Sequence, residues 1–129
     1  MARVLPVLLL LLPGLASAQE AFQLPSGNIH CVVHAGQLRC DILSYAYQRP
    51  TRPRGCELDW GGAVEIGARG AARLLCHGDT VADPAAPVLG YGSLWQGPGM
   101  GCTAARSGLR CANSDGRGFE MSRARLRLF

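Results

Sequence analysis

The stretch Cys31-Val-Val-His-Ala-Gly-Gln-Leu-Arg-Cys40 predicts a β-hairpin closed by a disulfide bond. With Ala35-Gly36 as a two-residue loop, in which Gly36 supplies the positive φ of a primed turn, the two cysteines face each other directly. Counting outwards from the loop makes them a non-hydrogen-bonded pair, whose Cα atoms lie ~4.5 Å apart. That separation is within the range of a disulfide.

A second stretch, Cys102-Thr-Ala-Ala-Arg-Ser-Gly-Leu-Arg-Cys111, repeats the pattern: both stretches hold eight residues between their cysteines and end in Leu-Arg-Cys. We expect a second hairpin, in which Gly108 favours a three-residue turn with a bulge. Cys56 and Cys76 remain and pair by elimination. The sequence lacks a C-x-x-C motif and a closely spaced ligand quartet, so we interpret all six cysteines as structural rather than metal-binding or redox-active.

Segments of strand character recur at short intervals and are separated by turns rich in glycine and proline. They are residues 28–34, 37–43, 63–66, 73–76, 87–89, 109–112, 118–122 and 123–128. No window of helical length sustains a 3.6-residue period. The sequence therefore predicts an all-β, disulfide-stabilised antiparallel domain, a small sandwich or a barrel-like structure built from hairpins.

Residues 1–18 have the pattern of a secretory signal peptide, with Arg3, an apolar run over 4–12 and the small-residue site Ala16-Ser17-Ala18. The apolar run is shorter than the ~20 residues that span a bilayer, so we expect no transmembrane segment after cleavage. Residues 19–129 would then form a single disulfide-rich β domain. We expect a secreted or periplasmic location, since such compartments are oxidising.

The charge composition argues against a nucleic-acid partner. The chain has 13 arginines and no lysine against nine acidic residues, a formal charge of +4, and its eight aromatic residues are scattered. A nucleic-acid module would show clustered basic residues with interleaved aromatics. We expect no nucleic-acid binding.

The C-terminal segment contains the candidate binding site. Arg123, Arg125 and Arg127 alternate with apolar residues, a period of two that gives a strand one basic and one apolar face. One interpretation is a solvated strand face. The other is an anion-binding stripe for envelope polysaccharide, lipid head groups or an acidic protein.

Catalytic candidates are few. His77 and Asp79 lie close together after a predicted strand and could serve a small hydrolase, although a Gly-containing turn explains the same pattern. There is no Gly-x-Ser-x-Gly motif and no cysteine left as a nucleophile. His30 and His34 would lie ~13 Å apart on one strand, too far to share a metal. We expect neither enzymatic activity, nor a metal, nor another cofactor.

Several motifs together resemble a family of small secreted bacterial proteins known only as a domain of unknown function. The resemblance covers nearly all of the chain after residue 18 and is carried by the six cysteines with Pro25-Ser26-Gly27-Asn28-Ile29, Arg39-Cys40-Asp41, Leu58-Asp59-Trp60-Gly61, Gly78-Asp79-Thr80 and Tyr91-Gly92. One departure is Arg117, where the family has histidine between two glycines, which weakens any catalytic or metal role for that turn. The resemblance implies a bacterial envelope or extracellular setting and no activity.

The sequence thus favours a non-enzymatic domain that binds an envelope component or a protein partner, with its specific role unknown. The alternatives are a small extracellular hydrolase and an inhibitor of an extracellular hydrolase. The inhibitor would need an exposed rigid loop, for which residues 90–99 are the candidate.

Overall fold

The computed structural model describes residues 2–6 and 20–129, and the strands found there form two antiparallel sheets. The first sheet contains, in spatial order, β1 (Ala21–Gln23), β2 (Ile29–His34), β3 (Gln37–Ile42), β4 (Ala63–Ile66) and β5 (Arg73–Leu74). The second contains β6 (Leu94–Gly97), β7 (Met100–Ala105), β8 (Gly108–Asn113), β9 (Gly118–Met121) and β10 (Leu126–Leu128), each again beside its neighbour in the chain. This confirms the all-β prediction.

Two sequence predictions concern the N-terminus and membranes. Apart from residues 2–6, the predicted signal peptide lies outside the described residues. Within residues 2–6 and 20–129 no helix is long and apolar enough to span a bilayer.

Each sheet is centred on one of the two cysteine hairpins. Cys31 faces Cys40 and Cys102 faces Cys111, with a Cα–Cα distance of 4.1 Å in both pairs. The first hairpin turns at Ala35-Gly36, where both residues have positive φ, as a type I′ turn requires. The second has the same register, because Ala105 pairs directly with Gly108; the three-residue turn expected there is wrong.

The two sheets share one hydrophobic core, which makes the domain a sandwich. The core-facing side chains of both sheets form a single buried cluster. Phe22 of β1 and Trp95 of β6 meet across it, with ring centroids 5.2 Å apart. Because the disulfides of both hairpins lie in the same cluster, they join covalently the strands that supply most of the core.

The second sheet repeats the first, strand by strand. In the first sheet, the residues opposite one another along the ladder through the disulfide are Phe22, Cys31, Cys40, Val64 and Leu74. The equivalent residues of the second sheet are, in the same order, Trp95, Cys102, Cys111, Phe119 and Leu128. The neighbouring row of opposed residues is Val32, Arg39, Glu65 and Arg73 in the first sheet. Its equivalent in the second sheet is Thr103, Arg110, Glu120 and Arg127. The repeat seen in the sequence as Leu-Arg-Cys therefore extends over all ten strands.

The predicted strands differ from the observed ones at three places. Residues 87–89 make only an isolated bridge between Val88 and Gln23, because this segment runs beside the edge of β1. The segment 123–128 is a strand only from Leu126, since main-chain hydrogen bonds between Ser122 and Arg125 close a turn before it. Strands β1 and β6, which were not predicted, are short edge strands.

The two halves of the repeat, which are the two sheets, differ most in the connection between their third and fourth strands. In the second sheet this is a tight turn over residues 114–117, whereas in the first it is the long segment 43–62. The long segment is fixed by the Cys56–Cys76 disulfide and by hydrogen bonds from Trp60 Nε1 to the Pro50 carbonyl and from Tyr47 to the Gly61 carbonyl. Burial raises the pKa of Tyr47, so its hydroxyl stays protonated and donates. The arginine- and proline-rich residues 49–54 are thus held within this segment.

The segment that joins the two sheets crosses the outer face of the first. We call residues 77–89 the strap. Asp41, which is only 2 % exposed, accepts hydrogen bonds from the Thr80 hydroxyl and the Val81 amide, each at 3.0 Å. His30 accepts one from the Asp83 amide, and Gln23 donates to the carbonyls of Pro84 and Ala86. The strap therefore depends on buried polar side chains, all of which have partners in the described structure.

A polar junction ties the two sheets at one end. Asn113 of β8 donates to the carbonyls of Gly67 and Gly70, and Asp115 accepts from the Gly70 amide at 2.8 Å and from Arg69 at 2.9 Å. The Gly70 amide, followed by the Arg69 guanidinium, lowers the pKa of the Asp115 carboxyl.

A carboxyl whose pKa is lower in the folded than in the unfolded state stabilises the fold above its unfolded pKa, and this stabilisation is lost as the pH falls through the folded pKa. We expect the Asp115→Asn variant to lose less stability than the wild type on acidification below about pH 4, the ordinary range of an aspartate. Urea unfolding of both proteins along a pH series measures this. Parallel curves down to the acid limit would contradict it.

Candidate functional site

The three candidate arginines do not form one stripe. Arg123 and Arg125 lie in the turn before β10, and Arg127 lies within the strand. Arg123 lines a cleft between the two sheets, whereas Arg125 and Arg127 approach Glu120 on the outer face of the second sheet, at 3.7 and 3.1 Å. The structure therefore divides the predicted site into two places.

The cleft lies where the two sheets meet at one end of the sandwich, and its volume is about 640 Å³. The β1–β2 turn around Gly27 lines one side. The β7–β8 turn around Arg106 and the turn around Arg123 line the other, together with Tyr91. Because three turns from both halves of the repeat form it, no single segment of the sequence reveals the cleft.

Both arginines of the cleft are positioned by neighbouring groups. The Arg106 guanidinium lies over the Tyr91 ring, 5.3 Å from its centroid. Arg123 donates from Nη1 to the Ser44 hydroxyl at 3.1 Å, and its carbonyl accepts from the amides of Ala46 and Tyr47. The long segment 43–62, which the second half of the repeat lacks, thus holds Arg123 in place.

The cleft carries uncompensated positive charge. Within residues 2–6 and 20–129, carboxylates lie within 4.0 Å of Arg39, Arg69, Arg73, Arg110, Arg125 and Arg127, but of neither Arg106 nor Arg123. A guanidinium presents donors in a planar fork that matches a carboxylate or a phosphate. Ser26, Ser107 and Ser122 line the same cleft. This arrangement can bind an anionic group.

Sequence reasoning missed Arg106. The residue stands alone in a turn, outside any basic run, so composition and periodicity give it no weight. One signal was present: the second hairpin has Arg106-Ser107 where the equivalent turn of the first has Ala35-Gly36, and such turn positions are favourable sites for function.

The outer face of the second sheet carries a second basic cluster. Glu120 lies within 4.0 Å of three guanidinium groups, those of Arg110, Arg125 and Arg127. The Phe129 ring lies beside two of them, 4.6 Å from Arg110 and 5.1 Å from Arg127. The hydrogen bond from Arg127, together with the charges around it, lowers the pKa of Glu120, which keeps this carboxyl ionised.

The histidine considered for a hydrolase has a local partner. His77 Nδ1 lies 3.0 Å from the main-chain carbonyl of Asp79, a contact within one turn. His77 and Asp59 also pair through their main chains and line a cavity of about 470 Å³. In a catalytic dyad the carboxylate itself would contact the imidazole. Among the described residues, the Asp79 carboxylate accepts no hydrogen bond from His77.

The structure also places the two histidines considered for a metal site and the loop considered for an inhibitor. His30 is buried and bonded to the Gly27 carbonyl and the Asp83 amide, while His34 is exposed at the end of β2. No cluster of three or more potential metal ligands occurs among the described residues. Residues 90–99, the loop suggested for an inhibitor, include strand β6, which pairs with β7.

The model of a family of unknown function, DUF6636, matches residues 4–129. The chain belongs to this family. The match spans the two sheets and all three disulfides, Cys31–Cys40, Cys56–Cys76 and Cys102–Cys111, which are the pairs expected from the sequence. No curated protein and no solved structure matches the chain. Membership confirms the resemblance found in the motifs, and it assigns no activity.

Proposed function

We propose that this protein is a non-enzymatic binding domain of the periplasm or the cell exterior, which takes an anionic group into the cleft between Arg106 and Arg123. The observation that carries the proposal is the pair of guanidinium groups, without a carboxylate partner, in a cleft of about 640 Å³. The signal-peptide pattern of residues 1–18 and the three disulfides support an oxidising compartment.

The chemistry of the cleft favours a carboxylate or a phosphate. Both match the fork of an arginine, and such charge-assisted hydrogen bonds are the stronger kind. Three sources present these groups in an envelope: acidic polysaccharide, lipid head groups and acidic protein. The Tyr91 ring, held under Arg106, adds a flat apolar surface beside the charge.

The test is a binding titration with three probes: an oligogalacturonate, vesicles containing phosphatidylglycerol and a short polyglutamate. We expect at least one probe to bind, with an affinity that falls as salt is raised. Replacing Arg106 or Arg123 with glutamine should weaken that binding about tenfold or more each, since a hydrogen bond to a charged group contributes about 1.5–3 kcal/mol. The probe that binds identifies the source of the anion.

Arg54→Gln is the matched control. Arg54 is exposed, and its replacement removes the same charge away from the cleft. Equal losses for Arg54→Gln and Arg123→Gln would show that net charge, not the cleft, causes binding, and would refute the proposal.

The non-enzymatic part of the proposal has its own test. After incubation with the protein, each probe should be recovered chemically unchanged. Turnover that disappears in a His77→Ala variant would instead establish the hydrolase.

A further inference from the structure

The repeat gives the two sheets equivalent outer faces, and among residues 2–6 and 20–129 only that of the first sheet is crossed by another segment of the chain. The strap lies across the outer face of the first sheet, over His30 and Asp41. On the second sheet, Thr103 and Arg110 of the equivalent face are exposed. The first half of the molecule thus shows what kind of segment such a face accommodates.

The strap crosses the strands and turns at residues 83–86, where the Ala86 amide donates to the Asp83 carbonyl at 3.0 Å. Its residues 79–86 follow one another over β3, β2 and β1 in turn: Val81 meets Asp41, Asp83 meets His30, and Ala86 meets Gln23. The Val81 side of this crossing borders a groove of about 430 Å³, lined also by Val32, Arg39 and Glu65.

The equivalent residues of the second sheet line a groove of similar size. Thr103, Arg110 and Glu120 occupy the positions of Val32, Arg39 and Glu65, and the groove measures about 490 Å³. Ser107 and Arg125 line it as well. Val81 of the strap lines the groove of the first sheet. Among the described residues, no equivalent segment lines the groove of the second sheet.

The side chains that can hold a crossing segment differ in charge between the two outer faces. In the first sheet the Asp41 carboxylate accepts from the strap, and the equivalent position of the second sheet is Ala112. The second face offers three guanidinium groups around one carboxylate, so it presents donors in excess. Arg110 and Arg125 each lie 3.7 Å from Glu120, and their side chains are 57 % and 63 % exposed, which leaves them able to take a second partner.

We infer that the outer face of the second sheet docks an acidic segment of a protein partner, laid across the strands as the strap is laid across the first sheet. Carboxylates of the segment bind Arg110 and Arg125 in the groove. The segment crosses the strands because the strap crosses the covered face of the first half, and it is acidic because the anchors are cationic. This groove adjoins the Arg106–Arg123 cleft at Ser107 and is lined by different arginines.

The experiment uses a decapeptide of alternating Glu and Thr, with alternating Gln and Thr as the neutral probe, titrated into isotope-labelled full-length protein and followed by amide NMR shifts. We expect shifts at Thr103, Arg110 and Glu120 with the acidic peptide and none with the neutral one. The double variant Arg110→Gln/Arg125→Gln should weaken binding at least tenfold. Arg73→Gln, at the position of the first sheet equivalent to Arg127, should leave the affinity unchanged.

A further variant tests the role of Glu120. Its carboxylate competes with the ligand for the arginines, so Glu120→Gln should strengthen peptide binding. Binding that survives the Arg110/Arg125 double variant, or shifts confined to the Arg106–Arg123 cleft, would overturn the inference. So would a phosphatidylglycerol vesicle or an oligogalacturonate that shifts this face when the peptide does not.

The same titration separates the two proposals. The Arg106→Gln/Arg123→Gln variant should bind the peptide at the outer face unchanged. Loss of peptide binding in that variant alone would assign the peptide to the cleft and leave the outer face without a ligand.

Discussion

Replacing Asp41 with alanine is expected to lower the free energy of unfolding by about 3 kcal/mol, one of the largest effects of any single substitution in the domain. The carboxylate is buried and accepts four hydrogen bonds: two from Arg39, at 2.9 and 3.0 Å, and one each from Thr80 and Val81. Its removal leaves these donors without an acceptor and a guanidinium that is 22 % exposed without its partner. The strap then loses two of its attachments to β3.

Asp79→Ala is the control for this substitution, because Asp79 belongs to the same strap but is exposed, and only its carbonyl is bonded to Arg39 and His77. We expect its effect to stay within about 0.5 kcal/mol, as for other surface changes. Urea unfolding of the two variants measures the difference. Equal stabilities would mean that the strap does not depend on the Asp41 network.

Reducing all three disulfides is expected to unfold the domain. Loop entropy assigns about 2.5–3.5 kcal/mol to each bridge at these loop lengths, and the three together are comparable with the whole stability of a typical domain, about 5–15 kcal/mol. Circular dichroism and NMR of reduced, alkylated protein should show loss of the native strands. A reduced chain that keeps native amide dispersion would contradict this.

The repeat adds a comparison between the two hairpin bridges. Cys31–Cys40 and Cys102–Cys111 close loops of equal length at equivalent, fully buried positions. Replacing either pair with serine should therefore cost a similar free energy, whereas replacing Cys56 and Cys76 should cost somewhat more because that loop is longer. A large difference between the two hairpin variants would show that the halves are not energetically equivalent.

The hairpins could be predicted because their determinants are local. A turn with Gly36, eight intervening residues and two cysteines fix the register of the first sheet, and register then fixes which side chains face the core. The turns at Gly70 and Gly99 also have local determinants, since both residues have the positive φ that glycine allows.

The full repeat could not be predicted, because equivalent positions hold different residues. Phe22 corresponds to Trp95 and Val64 to Phe119, so hydrophobicity is kept while identity and volume change. The strap is held by Gln23, His30 and Asp41 from three strands, and no sequence period connects these positions.

The arginine site could be predicted only in part. Alternation singled out Arg123, Arg125 and Arg127, but the hydrogen bonds between Ser122 and Arg125 make a turn that sends Arg123 to the cleft and leaves Arg125 on the outer face. Arg106 and Arg123 line one cleft because their two turns lie at the same end of the second sheet, where β8 pairs with β9, and the β1–β2 turn of the first sheet completes it. Contacts of this kind are set by tertiary packing, which local pattern does not encode.

The most direct test of the central claim, anion binding in the cleft, is an NMR titration that follows the Nε–H resonances of the arginines with the probe found to bind. The account predicts that Arg106 and Arg123 shift together, saturate at one dissociation constant and lose their shifts at high salt, while Arg54 stays unchanged. Shifts spread evenly over the exposed arginines, or absent at Arg106 and Arg123, would contradict it.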